Sequence, residues 1–256
     1  MPGMSVPILL YHAIHPQRSV VSLDPSTFAF QMAWLQENGF KTLTQRELAL
    51  YLTEGKALPE KCVALTFDDG YQSLYDHAFP ILSNFGFTAT IFLVSGYCAK
   101  YNDWPGQPAG IPRWPLLNWQ QIQEMNSHGI EFGAHSLSHA RLDVLGPVEM
   151  SREILDSKQI LEERLGHEIV DFAYPYGRYN ARIKEFVSQL FISACTTRTG
   201  LLGSTSDRFA MERIEITYLQ LPWIYQGLDR GWFPFYLNSR GVLRKLGGVL
   251  LRRKWY

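Results

Sequence analysis

Cysteine is scarce in this sequence of 256 residues: Cys62, Cys98 and Cys195 are the only three, widely spaced and without a C-x-x-C pair. That excludes a disulfide framework. Cys62 and Cys195 fall in strand-like runs, where a free thiol behaves as a small core hydrophobe. Neither charge sign is in excess, since Lys+Arg and Asp+Glu both total 24, so no global field directs the chain to nucleic acid. No stretch approaches the ~18 consecutive apolar residues of a membrane span. A secretory pattern is also missing: Ile8-Leu9-Leu10 is too short an apolar run and leads into Tyr11-His12. The expectation from these absences is a cytoplasmic protein. With 46% hydrophobic and 19% charged residues, the chain is globular and long enough to bury one large core.

Short apolar runs alternate with helical patterns. Strands are predicted at 7–11, 62–67, 88–94, 130–134, 169–174 and 191–196. Helices are predicted at 25–38, 45–52, 118–128 and 148–165, with one more opening at Asn180. The second is announced by a capping box, Thr44-Gln45-Arg46-Glu47. Helical text after residue 67 runs to Asn84, interrupted by Pro80. This repeated β–α order predicts a parallel sheet, open or closed into a barrel. His12, Asp68, Asp69 and His135 each fall just past the end of a predicted strand, as does Pro175-Tyr176-Gly177. In a parallel barrel those ends share one face, where the loops build active sites. Residues 95–117 form a long Gly- and Pro-rich connection, and loops of that length are commonly functional. Its Trp104 and Trp114 either offer apolar faces to sugar rings or pack the loop down.

Asp68 and Asp69 are adjacent carboxylates at the end of an apolar strand. Their mutual repulsion pushes one pKa up unless a cation or hydrogen bonds intervene. His135 and His139 supply two imidazoles four residues apart. One carboxylate and two imidazoles make a three-ligand set for a divalent cation, with open positions for water and a substrate oxygen. The second carboxylate is then free to take a proton from that water. The His-x3-His spacing is not that of a zinc protease helix, because Ser136 stands where that motif needs Glu.

Thr66-Phe67-Asp68-Asp69-Gly70, His135-Ser136-x-x-His139 and Phe172-Ala173-Tyr174-Pro175-Tyr176-Gly177 resemble, in order and spacing, three motifs of the polysaccharide deacetylases, the NodB-homology enzymes of carbohydrate esterase family 4. The resemblance spans roughly residues 60–180 and implies a distorted (β/α) barrel, usually with seven strands. It implies Asp68 as general base and Asp69, His135 and His139 as ligands of one divalent metal ion. Zinc is the first expectation, with cobalt, nickel or iron as alternatives, since such ligand sets accept several metals. The backbone N–H of Tyr176, after Pro175, would help hold the tetrahedral oxyanion. Pro175, Trp104 and Trp114 are the expected substrate contacts.

Two departures stand out. Many relatives carry Arg where Ala173 stands, and that Arg braces the catalytic Asp; Arg213 and Arg178 are the candidates to replace it. The general-acid His of the family lies near the end of the domain, yet no His follows His167 here. Residues 6–14, Val-Pro-Ile-Leu-Leu-Tyr-His-Ala-Ile, resemble the N-terminal strand of the biofilm poly-N-acetylglucosamine deacetylases, in which that last motif is moved to the front. His12 is therefore the expected acid, protonating the leaving amine.

The expected organisation is one catalytic domain over residues 1–236 and a basic tail over 237–256. Arg240, Arg244, Lys245, Arg252, Arg253 and Lys254 occupy the last 17 residues without an acidic one, leaving 18 cations against 24 acids in the body. Val242, Leu243, Leu246, Val249 and Leu250 share one helical face, so the tail either lies on an anionic membrane surface or docks on the barrel. The expected activity is removal of N-acetyl groups from amino sugars of a glycan or a lipid-linked precursor. The alternatives are deformylation of a lipid-linked amino sugar, hydrolysis of a small cyclic amide, or carbohydrate binding without catalysis.

Overall fold

Each strand of the main sheet runs parallel to its neighbours. The computed structural model describes residues 5–240. In chain order its elements are β1 (Ile8–Tyr11), β2 (Ala13–Ile14), β3 (Ser22–Leu23), α1 (Pro25–Glu37), β4 (Lys41–Leu43), α2 (Gln45–Thr53), β5 (Cys62–Phe67), α3 (Phe79–Phe85), β6 (Thr90–Leu93), α4 (Trp119–Ser127), β7 (Glu131–Ala134), α5 (Pro147–Leu165), β8 (Asp171–Ala173), α6 (Ala181–Leu190), β9 (Ser193–Cys195), β10 (Ile214–Glu215) and α7 (Pro222–Tyr225). The strand order is β10-β1-β5-β6-β7-β8-β9. β4 shares one edge of β5 with β6, lying beside its first half.

The ring closes through a bridge. Cys195 pairs in parallel with Met211, and Met211 N donates to Ala194 O while Thr196 N donates to Met211 O, each at 3.0 Å. Met211 leads directly into β10, so the two ends of the path meet. The expected seven-stranded, distorted (β/α) barrel is the architecture observed.

Local chemistry accounts for the helix starts. Asp24 accepts from Ser26 N ahead of Pro25, and Thr44–Glu47 and Asn118–Gln121 each form a reciprocal capping box. Pro80 does not break a helix. It sits in the first turn of α3, where its missing N–H leaves no hydrogen bond unmade, after a π-helical turn at Leu74–Ala78.

All six residues of β5 are buried, as a strand covered on both faces requires. Val63, Leu65 and Phe67 join the large core beneath the helices, while Ala64 belongs to a second, smaller cluster with Ile8, Phe92, Ala173 and Cys195. The period of two continues from Ala64 through Thr66 to Asp68, which carries that carboxylate inward.

β4, β10, α7 and the β2–β3 pair escape the sequence reading because elements of two to four residues hold no full period. The strands expected at 169–174 and 191–196 shorten to three residues each. The domain boundary expected after Tyr236 falls within helical residues 233–240, and the tail residues from 241 onward lie outside the described chain.

Candidate metal centre and active site

Asp69, His135 and His139 converge past the ends of β5 and β7. A ligand atom from each lies within 4.8 Å of the others, the one cluster of this kind among the described residues. His135 Nε2 and His139 Nε2 stand 3.7 and 3.4 Å from Asp69 Oδ1. That oxygen is buried and has no hydrogen-bond partner, an arrangement that carries a desolvation penalty unless a cation fills the gap. The donor set therefore fits a divalent metal. His135 Nδ1 faces the carbonyl of Ala173 at 2.8 Å, which places the proton on Nδ1 and the lone pair of Nε2 toward Asp69. Burial and the neighbouring His135 hold the His139 imidazole well below its ordinary value, so it too is neutral and able to ligate. Burial pushes the Asp69 carboxyl up, against the pull of His12 and His135.

Backbone strain gathers at the same place. Among the described residues, six non-glycine residues have φ in the left-handed region, and Asp69, Ser136, His139 and Tyr176 are four of them, at 73°, 62°, 57° and 58°. Such conformations cost about 1–3 kcal/mol each and persist where the surroundings over-determine them. Gly70 completes the Asp-Asp-Gly turn at φ +73°, where an added Cβ would meet Leu93 Cδ2 at 2.5 Å.

Asp68 has a different environment. Arg213 donates from its two terminal nitrogens to Oδ1 and Oδ2 at 2.8 and 2.6 Å. The same guanidinium donates from Nε to Thr196 O at 2.9 Å and from Nη1 to Thr66 Oγ1 at 3.2 Å. Burial alone would raise the Asp68 carboxyl, but Arg213 outweighs it, with smaller help from His135 and His12, and holds it well below the carboxylate range. Arg178 is occupied elsewhere, 3.5 Å from Asp143. Of the two candidates for the brace, Arg213 is the one on Asp68.

His12, Asp68, Asp69, His135, His139 and Tyr176 all line a single cavity of about 470 Å³. Residues from four separate strand ends thus meet, as parallel topology requires. The Tyr176 ring packs edge-on to His139, with centroids 4.4 Å apart.

Three comparisons bear on this site. The polysaccharide deacetylase family model matches residues 55–194. YxkH of Bacillus subtilis, provisionally named a polysaccharide deacetylase, is 33% identical over 235 residues, covering 91% of this chain and 76% of its own. The poly-beta-1,6-N-acetyl-D-glucosamine N-deacetylase of Staphylococcus epidermidis is 31% identical over 207 residues, or 77% of this chain and 68% of its own. The chain belongs to the polysaccharide deacetylase family. IcaB from Ammonifex degensii superposes with a TM-score of 0.75 at 26% identity, covering 89% of this chain and 97% of that one. The family's enzymes are hydrolases of carbon–nitrogen bonds other than peptide bonds, and this polysaccharide deacetylase is one of that class.

Three expected substrate contacts are not where the sequence reading put them. Trp104 is 2% exposed, its indole tilted over His139 at 4.6 Å and edge-on to Tyr97. Trp114 is also buried, stacked on His15 at 4.4 Å and edge-on to Tyr71. Both bring large apolar areas to the underside of the long connection instead of an open face to a sugar. Pro175 is buried and outside the cavity wall. The wall is built instead by Gln107, Pro108 and Ile111 from that connection, Val20 and Val21, Thr197, and the Glu215–Tyr218 segment. Glu215 escaped the sequence analysis: it ends a strand of two residues, Ile214–Glu215, which leaves no periodic signal. Burial pushes its carboxyl up, opposed by His12 and Arg213.

Proposed function

We propose that this member of the family is a metal-dependent N-deacetylase of amino sugars, acting on an N-acetylglucosamine-containing glycan or glycoconjugate. The observation that carries the reading is the Asp69–His135–His139 cluster directly beside a second carboxylate, Asp68, held by Arg213. Its support from relatives is the named activity of the Staphylococcus epidermidis enzyme. A divalent cation held by Asp69, His135 and His139 would acidify a water molecule and polarise the acetamide carbonyl.

The chain's own groups then have distinct tasks. Asp68, ionised and fixed by Arg213, accepts the proton of the attacking water. The N–H of Tyr176 donates to the oxyanion as the carbonyl carbon becomes tetrahedral. His12, which lines the same cavity, protonates the sugar nitrogen as the carbon–nitrogen bond breaks. Acetate and a free amine leave. Buried side chains around the cluster limit competing water, which strengthens each of these interactions.

Metal analysis of the purified protein, with acetate release from N-acetylglucosamine oligomers, tests the proposal. Bound divalent metal and acetate release that vanishes in Asp68→Asn are expected. No metal and no difference on Asp68→Asn would leave a carbohydrate-binding protein as the better reading. Formate in place of acetate, from an N-formyl sugar only, would move the activity to deformylation.

A further inference from the structure

The segment after the cavity wall presents an aromatic face that nothing in the described chain covers. Leu221, Trp223, Trp232 and Phe235 are 54%, 61%, 41% and 76% exposed. The rings of Trp223 and Trp232 lie 6.3 Å apart, and Phe235 follows one turn later in helical residues 233–240. These side chains are held in place from behind. Ile224, Tyr225, Leu228, Phe233 and Leu237 of the same segment are buried in the core. Tyr236 donates from its hydroxyl to Tyr218 O at 2.7 Å. Trp232 lies so close over Gly227 that a Cβ there would meet its ring at 2.2 Å.

Charge selects the occupant. After Asp229 the sequence contains no acidic residue, and Arg230, Arg240, Arg244, Lys245, Arg252, Arg253 and Lys254 follow. A second copy of the chain would bring the same positive charge against itself across a two-fold contact. An anionic lipid surface would attract it, and Trp rings favour the depth of the lipid headgroups. We propose that Leu221, Trp223, Trp232 and Phe235, in the segment that also carries Arg230 and Arg240, dock the protein on an anionic lipid bilayer. No described helix is long and apolar enough to cross a membrane, so the contact is peripheral. Tyr218 lines the cavity and stacks beneath the Arg240 guanidinium at 4.7 Å. One continuous segment therefore carries both the exposed aromatic residues and part of the cavity wall.

Flotation of the full chain with vesicles tests this without reference to catalysis. The protein should float with phosphatidylcholine vesicles containing phosphatidylglycerol, less with phosphatidylcholine alone, and less in high salt. The double variant Trp223→Ser/Phe235→Ser should bind anionic vesicles at least about tenfold more weakly, since both rings leave the apolar contact. Its thermal unfolding should match the parent's, because both side chains are exposed. Absence of flotation on anionic vesicles would overturn the proposal. So would equal flotation of the double variant, or a parent dimer in sedimentation that the double variant dissociates.

Discussion

Arg213 closes a two-pronged fork on Asp68 across 145 residues of sequence, with nitrogen–oxygen distances of 2.8 and 2.6 Å. Both partners are buried. The planar guanidinium fits a carboxylate in two places at once, which an ammonium does not do. The fork leaves Asp68 ionised and fixed in direction while its neighbour Asp69 turns to the two imidazoles.

Loss of the fork is the first prediction. With Asp68 as the general base proposed above, Arg213→Ala should lower kcat by roughly a hundredfold or more, and should destabilise the fold by about 3–5 kcal/mol. Arg213→Lys should keep more stability yet lose most of the activity. Metal content should be unchanged in both. Because the folded Asp68 carboxyl lies below its unfolded value near pH ~4, the stability it contributes is complete above that value and is lost as pH falls through the folded one. Acid unfolding should therefore begin at higher pH in Arg213→Ala than in the parent.

The turn that carries Tyr176 is the second. Gly177 sits at φ +66°, and a Cβ there would meet Thr197 Oγ1 at 2.2 Å and Thr197 N at 2.5 Å. Gly177→Ala has to displace backbone, so it should shift the Tyr176 N–H and reduce kcat with KM and metal content nearly intact. An equal loss of metal would show that the turn instead supports the ligands.

Trp104 distinguishes support from substrate contact. Trp104→Ala removes the surface beneath His139 and should destabilise by about 3–5 kcal/mol. Dialysed protein should retain less metal, and added metal should restore part of the activity. A higher KM with full metal retention would instead restore Trp104 to the substrate site.

The opposite end of the barrel supplies a pH prediction. Burial, with Glu131 nearby, pushes the Asp171 carboxyl up to about 7 despite the hydrogen bond from Ser193. The folded state thus holds a proton that the unfolded chain releases near pH ~4, and stability should fall as pH rises from there toward 7. Asp171→Asn should flatten that slope and gain about 2–4 kcal/mol over the parent at pH 8. Urea unfolding at pH 5 and pH 8 measures both.

The sequence by itself determined the architecture and the three residues of the Asp69–His135–His139 cluster. Capping at Thr44 and Asn118, the apolar run Cys62–Phe67 and the alternation of strand with helix are local signals, and they survive intact in the structure. Asp69, His135 and His139 were legible because each lies beside a strand end, and parallel topology sends strand ends to one face. Tertiary structure decided what each group faces. Nothing local distinguishes Arg213, which meets Asp68, from Arg178, which meets Asp143. Trp104 and Trp114 look alike as sugar platforms until the fold buries them. Glu215 belongs to a two-residue strand that pairs with β1, far earlier in the sequence. Short-range propensity acts within a few residues, whereas burial and ion pairing depend on segments that only the closed barrel brings together.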